Sequence, residues 1–234
     1  MNPSLEILYE DNHLLAVAKP AGLPTMGVSA GRPSLINVAK AYIKGKYHKP
    51  GNVYLGVVSR LDAPVTGVVL FARTSKAARR LTEQFRTRAV TKRYLAAVEG
   101  ILRPRSGRWV DWVVRDQRSH RVKIVAPGYT GAKQAVLELK RLAVRGRTSV
   151  LRIVPETGRK HQIRIQLASR GHPILGDRQY GSSRSFPAGI ALHAWQLVLE
   201  HPVRGETVRL QAPLPPSWNG LAIARTIAAR ADRH

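Results

Sequence analysis

Apolar positions recur with two periods along the chain, and the switches between them lay out most of the elements. Residues 5–9 and 13–18 read as two short strands around the turn-prone Asp11-Asn12. Ser34 can cap a helix in which Leu35, Val38, Ala39 and Tyr42 fall at i, i+3, i+4 and i+7. Thr66 to Arg73 is a β-branched, nearly all-apolar run, which predicts a buried strand. Ser75 can then cap a second helix, with Ala78, Leu81 and Phe85 inward and Arg79, Arg80, Arg86 and Arg88 on its other faces. Strands are expected at about 93–98, 109–114, 121–126, 134–143 and 147–155. His161 to Arg170 reads as a helix, with Ile163 and Leu167 stacked and Gly171 placed to end it. Residues 190–199 and 206–211 read as strands, and 217–231 as an Ala-rich closing helix. Many strands at antiparallel spacing with few helices between them predict an α+β fold with one large sheet. No repeat, low-complexity tract or linker divides the chain, so residues 1–234 are expected to form a single domain, within which the first two-thirds and the last third could be subdomains.

Charge narrows the picture more than composition does. Lys and Arg number 39 against 14 acids, a formal charge of +25, and 28 of the 39 are Arg. Arg binds phosphate through a planar fork, whereas Lys acts as a point charge. Such an excess of one sign favours a polyanionic partner, most simply nucleic acid. The hydrophobic fraction of 44% and charged fraction of 23% are those of a folded chain, not of a disordered basic tail. Residues 73–123 are the densest stretch, with 15 basic residues against Glu83, Glu99, Asp111 and Asp116. Apolar residues interleave with these charges, so the segment is a candidate docking face on folded elements. The chain has no cysteine, which excludes disulfide scaffolds, thiolate zinc sites and cysteine nucleophiles. No apolar run approaches the length of a membrane-spanning helix, and Met1 to Glu10 has no basic signal-like region, so a cytoplasmic protein is expected.

With no cysteine, chemistry must come from carboxylates, His, Tyr and Arg. Asp62 stands out among the acids: it follows Ser59-Arg60-Leu61 and leads through Ala63-Pro64-Val65 into the buried-looking strand. A carboxylate on a loop feeding a core strand, beside Arg60, is well placed to be held rigid. The same residues also suit an ordinary turn Asp that bonds its own backbone near Pro64. A second constellation, Glu156-Thr157-Gly158-Arg159-Lys160-His161-Gln162-Ile163-Arg164, puts a Gly turn and two basic residues at a strand-to-helix junction. It reads either as an anion site, with Arg164 one turn beyond Lys160, or as a solvated basic helix start. The segment from Gly171 to Gly181 is rich in turn formers and is either a substrate loop or a tight connector. His161, His172, Asp177, His193 and His201 cluster in sequence but show no metal-site spacing, and no phosphate-loop or dinucleotide fingerprint is present. Neither a metal nor a cofactor is expected.

Five ordered motifs carry a family resemblance. Ser59-Arg60-Leu61-Asp62 through Thr66-Gly67-Val68-Val69-Leu70-Phe71-Ala72 resembles the H-R-L-D-x-x-T-S-G-L-L signature of the RluA-type pseudouridine synthases. Lys92-Arg93-Tyr94-Leu95-Ala96-Ala97-Val98-Glu99-Gly100 is similar to that family's K-x-Y-x-A-x-V-x-G. Thr157 to Gly181 resembles its T-G-R-x-H-Q-I-R and G-H-P-I-x-G-D-x-x-Y-G segments. The flanks agree as well, at Tyr9-Glu10-Asp11 with Lys19 to Pro24, and at Leu192-His193-Ala194 with His201-Pro202 and Ala212 to Pro215. The resemblance implies a pseudouridine-synthase-like fold, a large mixed and mostly antiparallel sheet flanked by helices and loops. It implies a cofactor-free, flipped-base isomerisation of uridine in ribosomal or transfer RNA, with RNA modification and processing as the role.

The same resemblance implies the roles of single residues. Asp62 corresponds to the catalytic carboxylate, Tyr94 to the ring that packs on the flipped base and helps remove its C5 proton, and Arg164 to the cation that pairs with Asp62. Arg60 corresponds to a residue that holds the flipped-out nucleotide or its vacated space. Arg159, Lys160, His161 and Gln162 are further substrate-binding candidates. Two departures touch the active-site loop: Ser59 replaces the usual His, and Ala63-Pro64-Val65-Thr66 replaces an R-D-T-S-like sequence. Pro64 should stiffen the loop, and Ala63 removes a side chain that could reach RNA. An active enzyme is expected because Asp62, Tyr94 and Arg164 are intact; the alternative is a catalytically degenerate family member that only binds or remodels RNA. The chain starts almost at its catalytic motifs, so no N-terminal S4-type domain is expected, and nothing in the pattern suggests more than a monomer.

Overall fold

A computed structural model describes residues 5–27, 29, 32–116 and 121–221. The chain forms two compact units: Met1–Lys92 with Ala194–Pro213, and Arg93–His193 with Leu214–His234.

In the first unit the strands are β1 (Glu6–Glu10), β2 (Leu14–Lys19), β3 (Gly56–Val57), β4 (Thr66–Ala72), and the hairpin of β10 (Leu192–Glu200) with β11 (Thr207–Gln211). Their order is β1-β2-β4-β10-β11, with the two-residue β3 also on β4. Two helices, α1 (Leu35–Lys46) and α2 (Ser75–Arg86), cover the faces. Strand alternation sorts the core into two layers. Leu15, Val17, Val69 and Phe71 pack with Leu35, Ala39 and Ile43 of α1. Leu14, Ala16, Val68, Leu70 and Ala72 pack with Ala77 and Leu81 of α2 and with Leu197, Leu199, Val208 and Leu210 of the hairpin. Every residue of β4 is buried, as its unbroken apolar run requires. Gly67 in β4 is obligatory: its φ is +118°, and a Cβ there would lie 2.2 Å from the Ala194 carbonyl oxygen.

The second unit is a five-stranded antiparallel sheet in the order β5-β9-β8-β6-β7. Its strands are β5 (Thr91–Glu99), which begins two residues before the unit does, β6 (Ser106–Arg115), β7 (Val122–Val125), β8 (Lys133–Arg145) and β9 (Thr148–Pro155). The helix α3 (Gln162–Ala168) lies on β6 and β7, where Ile165 meets Val113, Val122 and Ala135. Asp111 on β6 locks it down, accepting from Gln166 at 2.7 Å and from Arg170 at 3.0 and 3.1 Å. The Arg170 guanidinium also stacks 4.3 Å over Trp109.

The α+β reading and its strand positions hold, with corrections of detail. Ser75 is the first residue of α2, and Thr74 is the cap, its hydroxyl accepting from the Ala77 N–H at 3.2 Å. Ser34 occupies the cap position of α1 but makes no side-chain cap bond. α3 ends at Ala168, short of the expected Arg170, and Gly171 follows with φ +76°. Pro216–Leu221 is a 3-10 helix where the closing helix was expected to begin, and the rest of that helix falls outside the described residues. Two elements gave no periodic signal, the short β3 and a 3-10 turn at Arg178–Tyr180.

Candidate active site

The structure divides the expected site residues between the units. Arg60 and Asp62 belong to the first, and Tyr94, Arg159, Lys160, His161, Gln162 and Arg164 to the second.

Asp62 is partly buried on the loop that enters β4, with Arg60 exposed two residues before it. The loop is anchored by its own main chain. The Asp62 carbonyl accepts from the Val65 N–H at 3.0 Å, and the Ala63 carbonyl accepts from the Gly22 N–H at 2.9 Å. Thr25 brackets Leu61 from both sides, donating to its carbonyl at 2.9 Å and accepting from its N–H at 3.1 Å. Ser59, one of the departures, takes a backbone role: its Oγ accepts from the Leu70 N–H at 3.1 Å, tying the loop to β4.

Lys19 is the residue that sequence reasoning left without a role. It is 1% exposed, and its Nζ donates to the carbonyls of Leu23 (2.7 Å), Pro20 (2.8 Å) and Ala63 (2.9 Å). Burial brings its ammonium down from 10.5 to about 7, opposed by the Asp62 carboxylate, which favours the charged form. A buried cation beneath Asp62, holding the carbonyl of the next residue, makes the segment Lys19 to Thr25 a clamp on the loop. The Lys-Pro-Ala-Gly-Leu-Pro run was the available signal, but it reads as a surface turn until its carbonyls converge.

Arg164 is held by side chains instead. It is 4% exposed and pairs with Asp177, 2% exposed, through Nε to Oδ2 (2.7 Å) and Nη2 to Oδ1 (2.8 Å). Nη2 also donates to Gln179 Oε1 at 2.8 Å, and the guanidinium lies 4.9 Å over the Tyr180 ring. A fork-on-fork pair of this kind fixes the plane of the guanidinium as well as its position. Asp177, Gln179 and Tyr180 come from the turn-rich Gly171–Gly181 segment, which therefore supports Arg164. The following turn is itself tied down, since Glu99 accepts from Ser182 Oγ (2.7 Å), Ser183 N (2.8 Å) and Arg184 N (3.0 Å).

The junction before α3 is also bonded from within. Thr157 Oγ1 accepts from the Val136 N–H at 2.8 Å and donates to Gln162 Oε1 at 2.7 Å. Gln162 Oε1 further accepts from the Arg159 N–H at 3.0 Å, and its Nε2 donates to the Val136 carbonyl at 3.0 Å. Gln162 is thus a buried tie between α3 and β8, and Arg159 Nε donates to the Gln134 carbonyl at 2.9 Å. Lys160 is exposed. His161 sits in the left-handed region (φ +51°), with its Nδ1 2.8 Å from the Tyr180 hydroxyl. That hydroxyl also accepts from the Val122 N–H at 3.1 Å. Tyr94 lies on β5 opposite Ile153, partly buried. Among the described residues no group of three or more His, Asp or Glu is arranged to hold a metal ion, and no helix is long and apolar enough to cross a membrane.

A sequence-family model described as RNA pseudouridylate synthase matches residues 13–169. The chain is 33% identical over 220 residues to the dual-specificity RNA pseudouridine synthase RluA of Haemophilus influenzae, covering 91% of this chain and 94% of that protein. It is 38% identical over 228 residues to the ribosomal large subunit pseudouridine synthase D of Xylella fastidiosa, covering 90% of this chain and 66% of the relative. Among solved structures, human RNA pseudouridylate synthase domain containing 4 superposes with a TM-score of 0.78 at 26% identity, over 93% of each chain.

Proposed function

The chain belongs to the RNA pseudouridylate synthase family and is an isomerase of that class, and from this premise we propose that Asp62 is the carboxylate that opens the glycosidic bond of a uridine in RNA. The reaction breaks N1–C1′, turns the uracil, joins C5 to C1′, removes the C5 proton and protonates N1. Its atoms balance with no oxidant, reductant or transferred group, so the chemistry calls for no cofactor.

The pinned Asp62 loop is the observation that carries this reading. One carbonyl contact from Lys19, to Ala63, two from the amides of Val65 and Gly22, and a Thr25 bracket on Leu61 hold a carboxylate against the thermal motion of an ordinary turn. Such a carboxylate can act as a nucleophile at the ribose or as a base upon it. Tyr94 takes the role of packing on the extruded uracil and assisting removal of the C5 proton. Arg164 supplies the countercharge to Asp62, and its pair with Asp177 and Gln179 prepares its orientation in advance. Arg60 and Lys160, both exposed, contact RNA, as do Arg159 and His161; Gln162 serves the second unit by holding α3 to β8.

The substrates are uridines of structured ribosomal or transfer RNA, modified in the cytoplasm by a monomer whose basic surface supplies the affinity. Incubating the protein with unmodified transfer and ribosomal RNA and mapping pseudouridine chemically tests this. Wild type is expected to modify defined uridines and Asp62→Ala none; identical maps for the two proteins on every RNA would end the proposal.

A further inference from the structure

Tyr180 touches three separate parts of the second unit, and its ring and its hydroxyl serve different ones. It ends the 3-10 turn Arg178–Tyr180, partly buried, with its own N–H donating to the Asp177 carbonyl at 3.0 Å. The face of its ring lies 4.9 Å from the Arg164 guanidinium. Its hydroxyl accepts at 3.1 Å from the N–H of Val122, the first residue of β7. The same oxygen is 2.8 Å from Nδ1 of His161, at the entry to α3.

His161 makes its contact from a strained position. It occupies the cap position of α3 without a side-chain cap bond, and its φ of +51° lies in the left-handed region. Its ring meets the Tyr180 ring edge-on, with centroids 5.6 Å apart at 84°. Strain of this kind persists only where surrounding contacts hold it. Packing alone does not call for a hydroxyl at position 180, because phenylalanine would fill the same space and show Arg164 the same ring. What the hydroxyl adds is a tie between the entry of α3 and the start of β7. The connection from β6 to β7 is closed by the Asp116 N–H to the Arg121 carbonyl at 2.9 Å, and Arg115, Arg121 and Lys123 are exposed around it.

We propose that Tyr180 is a positioning residue for the isomerisation: its ring supports the plane of the Arg164 guanidinium, and its hydroxyl holds the basic β6–β7 hairpin in place for RNA. This rests on the RNA pseudouridine synthase reading, in which Arg164 is the countercharge of Asp62. The two tasks fall on different kinetic constants. Arg164 serves the chemical step, so losing the ring lowers kcat. The hairpin grips RNA equally before and during that step, so losing the hydroxyl raises KM.

The test compares Tyr180→Phe with Tyr180→Met on transfer and ribosomal RNA transcripts labelled with tritium at C5 of uridine, well below the melting temperature of each protein. Tyr180→Phe is expected to raise KM about fivefold, the worth of one net hydrogen bond, and to leave kcat within about twofold. Tyr180→Met should show the same rise in KM and lower kcat about tenfold as well. A tyrosine that only packs would change the folded fraction, and with it the apparent kcat, but not KM. Asp62→Asn, alone and combined with Tyr180→Phe, is titrated with the same transcripts to read binding without turnover, and the combination should raise Kd about fivefold. Unchanged KM and Kd in Tyr180→Phe overturn the proposal, and so does an unchanged kcat in Tyr180→Met; should the Met variant fail to fold, Tyr180→Phe decides by itself. If wild type never forms pseudouridine but Kd shifts, the enzyme reading fails and the hold of the hydroxyl on the RNA-binding hairpin stands. If pseudouridine forms and both variants match wild type, only the role of Tyr180 falls.

Discussion

The loop carrying Asp62 and the cluster around Arg164 are both rigid, but they are made rigid by different parts of the chain. Main-chain atoms hold the loop: the carbonyls of Leu61, Asp62 and Ala63 accept from Thr25, Val65, Gly22 and Lys19. Side chains hold Arg164: Asp177, Gln179 and the Tyr180 ring. Any residue supplies a carbonyl, so the loop tolerates Ala63, Pro64 and Val65 where relatives of its type carry other side chains. A guanidinium gripped by a buried carboxylate has no such freedom. The departures at Ala63, Pro64 and Val65 therefore fall where substitution is inexpensive, while Ser59 contributes its own hydroxyl to the Leu70 N–H.

The sharpest way to break this contrast is Asp177→Ala. It strands the Arg164 charge in a buried site, and the expected loss is about 3–5 kcal/mol of stability by denaturant unfolding. Activity should collapse with it, and a loss below about 1 kcal/mol would mean that side chains do not hold Arg164. Lys19→Met comes next, since it removes the side chain that ties the loop to the Lys19–Leu23 segment and takes the Lys19 bond from the Pro20, Leu23 and Ala63 carbonyls, at about 2 kcal/mol. Its pH signature has a definite sign. Between about 7, where folded Lys19 loses its proton, and 10.5, where the unfolded chain does, the unfolded state binds more protons. Wild type should therefore gain stability relative to Lys19→Met as pH rises through that window, measured as the difference in Tm.

Asp11 is a control lying outside both regions. Burial alone would raise its pKa, but the N–H groups of His13 and Leu14, the Tyr9 hydroxyl and His201 bring it down to about 2. Its contribution, about 2 kcal/mol, is present above pH 3.8 and lost as pH falls towards 2, so Asp11→Asn should unfold more easily at neutral pH and match wild type in acid. The smallest effect belongs to Ala63→Arg, which restores the residue usual in the family. Stability should move by no more than about 0.5 kcal/mol, because only the Ala63 carbonyl is used, while KM for RNA falls.

Contiguous features were legible in the sequence. The two-layer burial of β4 is written in its unbroken apolar run, and Asp62 lies inside a motif whose residues are neighbours in the chain. What escaped depends on distant groups meeting. Lys19 looks like a solvated charge until the carbonyls of Pro20, Leu23 and Ala63 surround it. Asp177 reads as a turn residue until the loop returns it to Arg164, 13 positions earlier in the chain. Gln162 was expected to face substrate, but its amide is buried and bonds the Val136 carbonyl, the Arg159 N–H and the Thr157 hydroxyl. β3 is too short for any period to register, and the first turn of α2 was misassigned by one residue because Thr74 and Ser75 are both good caps.

The role of Asp62 can be tested most directly by tritium release from RNA labelled at C5 of uridine, because that hydrogen leaves only when the carbon–carbon glycosidic bond replaces N1. Wild type should release the label to solvent, and Asp62→Asn, with its loop still held through the main chain, should do so at least about a thousandfold more slowly. Equal rates of release from the two proteins would contradict the assignment of Asp62 as the catalytic carboxylate.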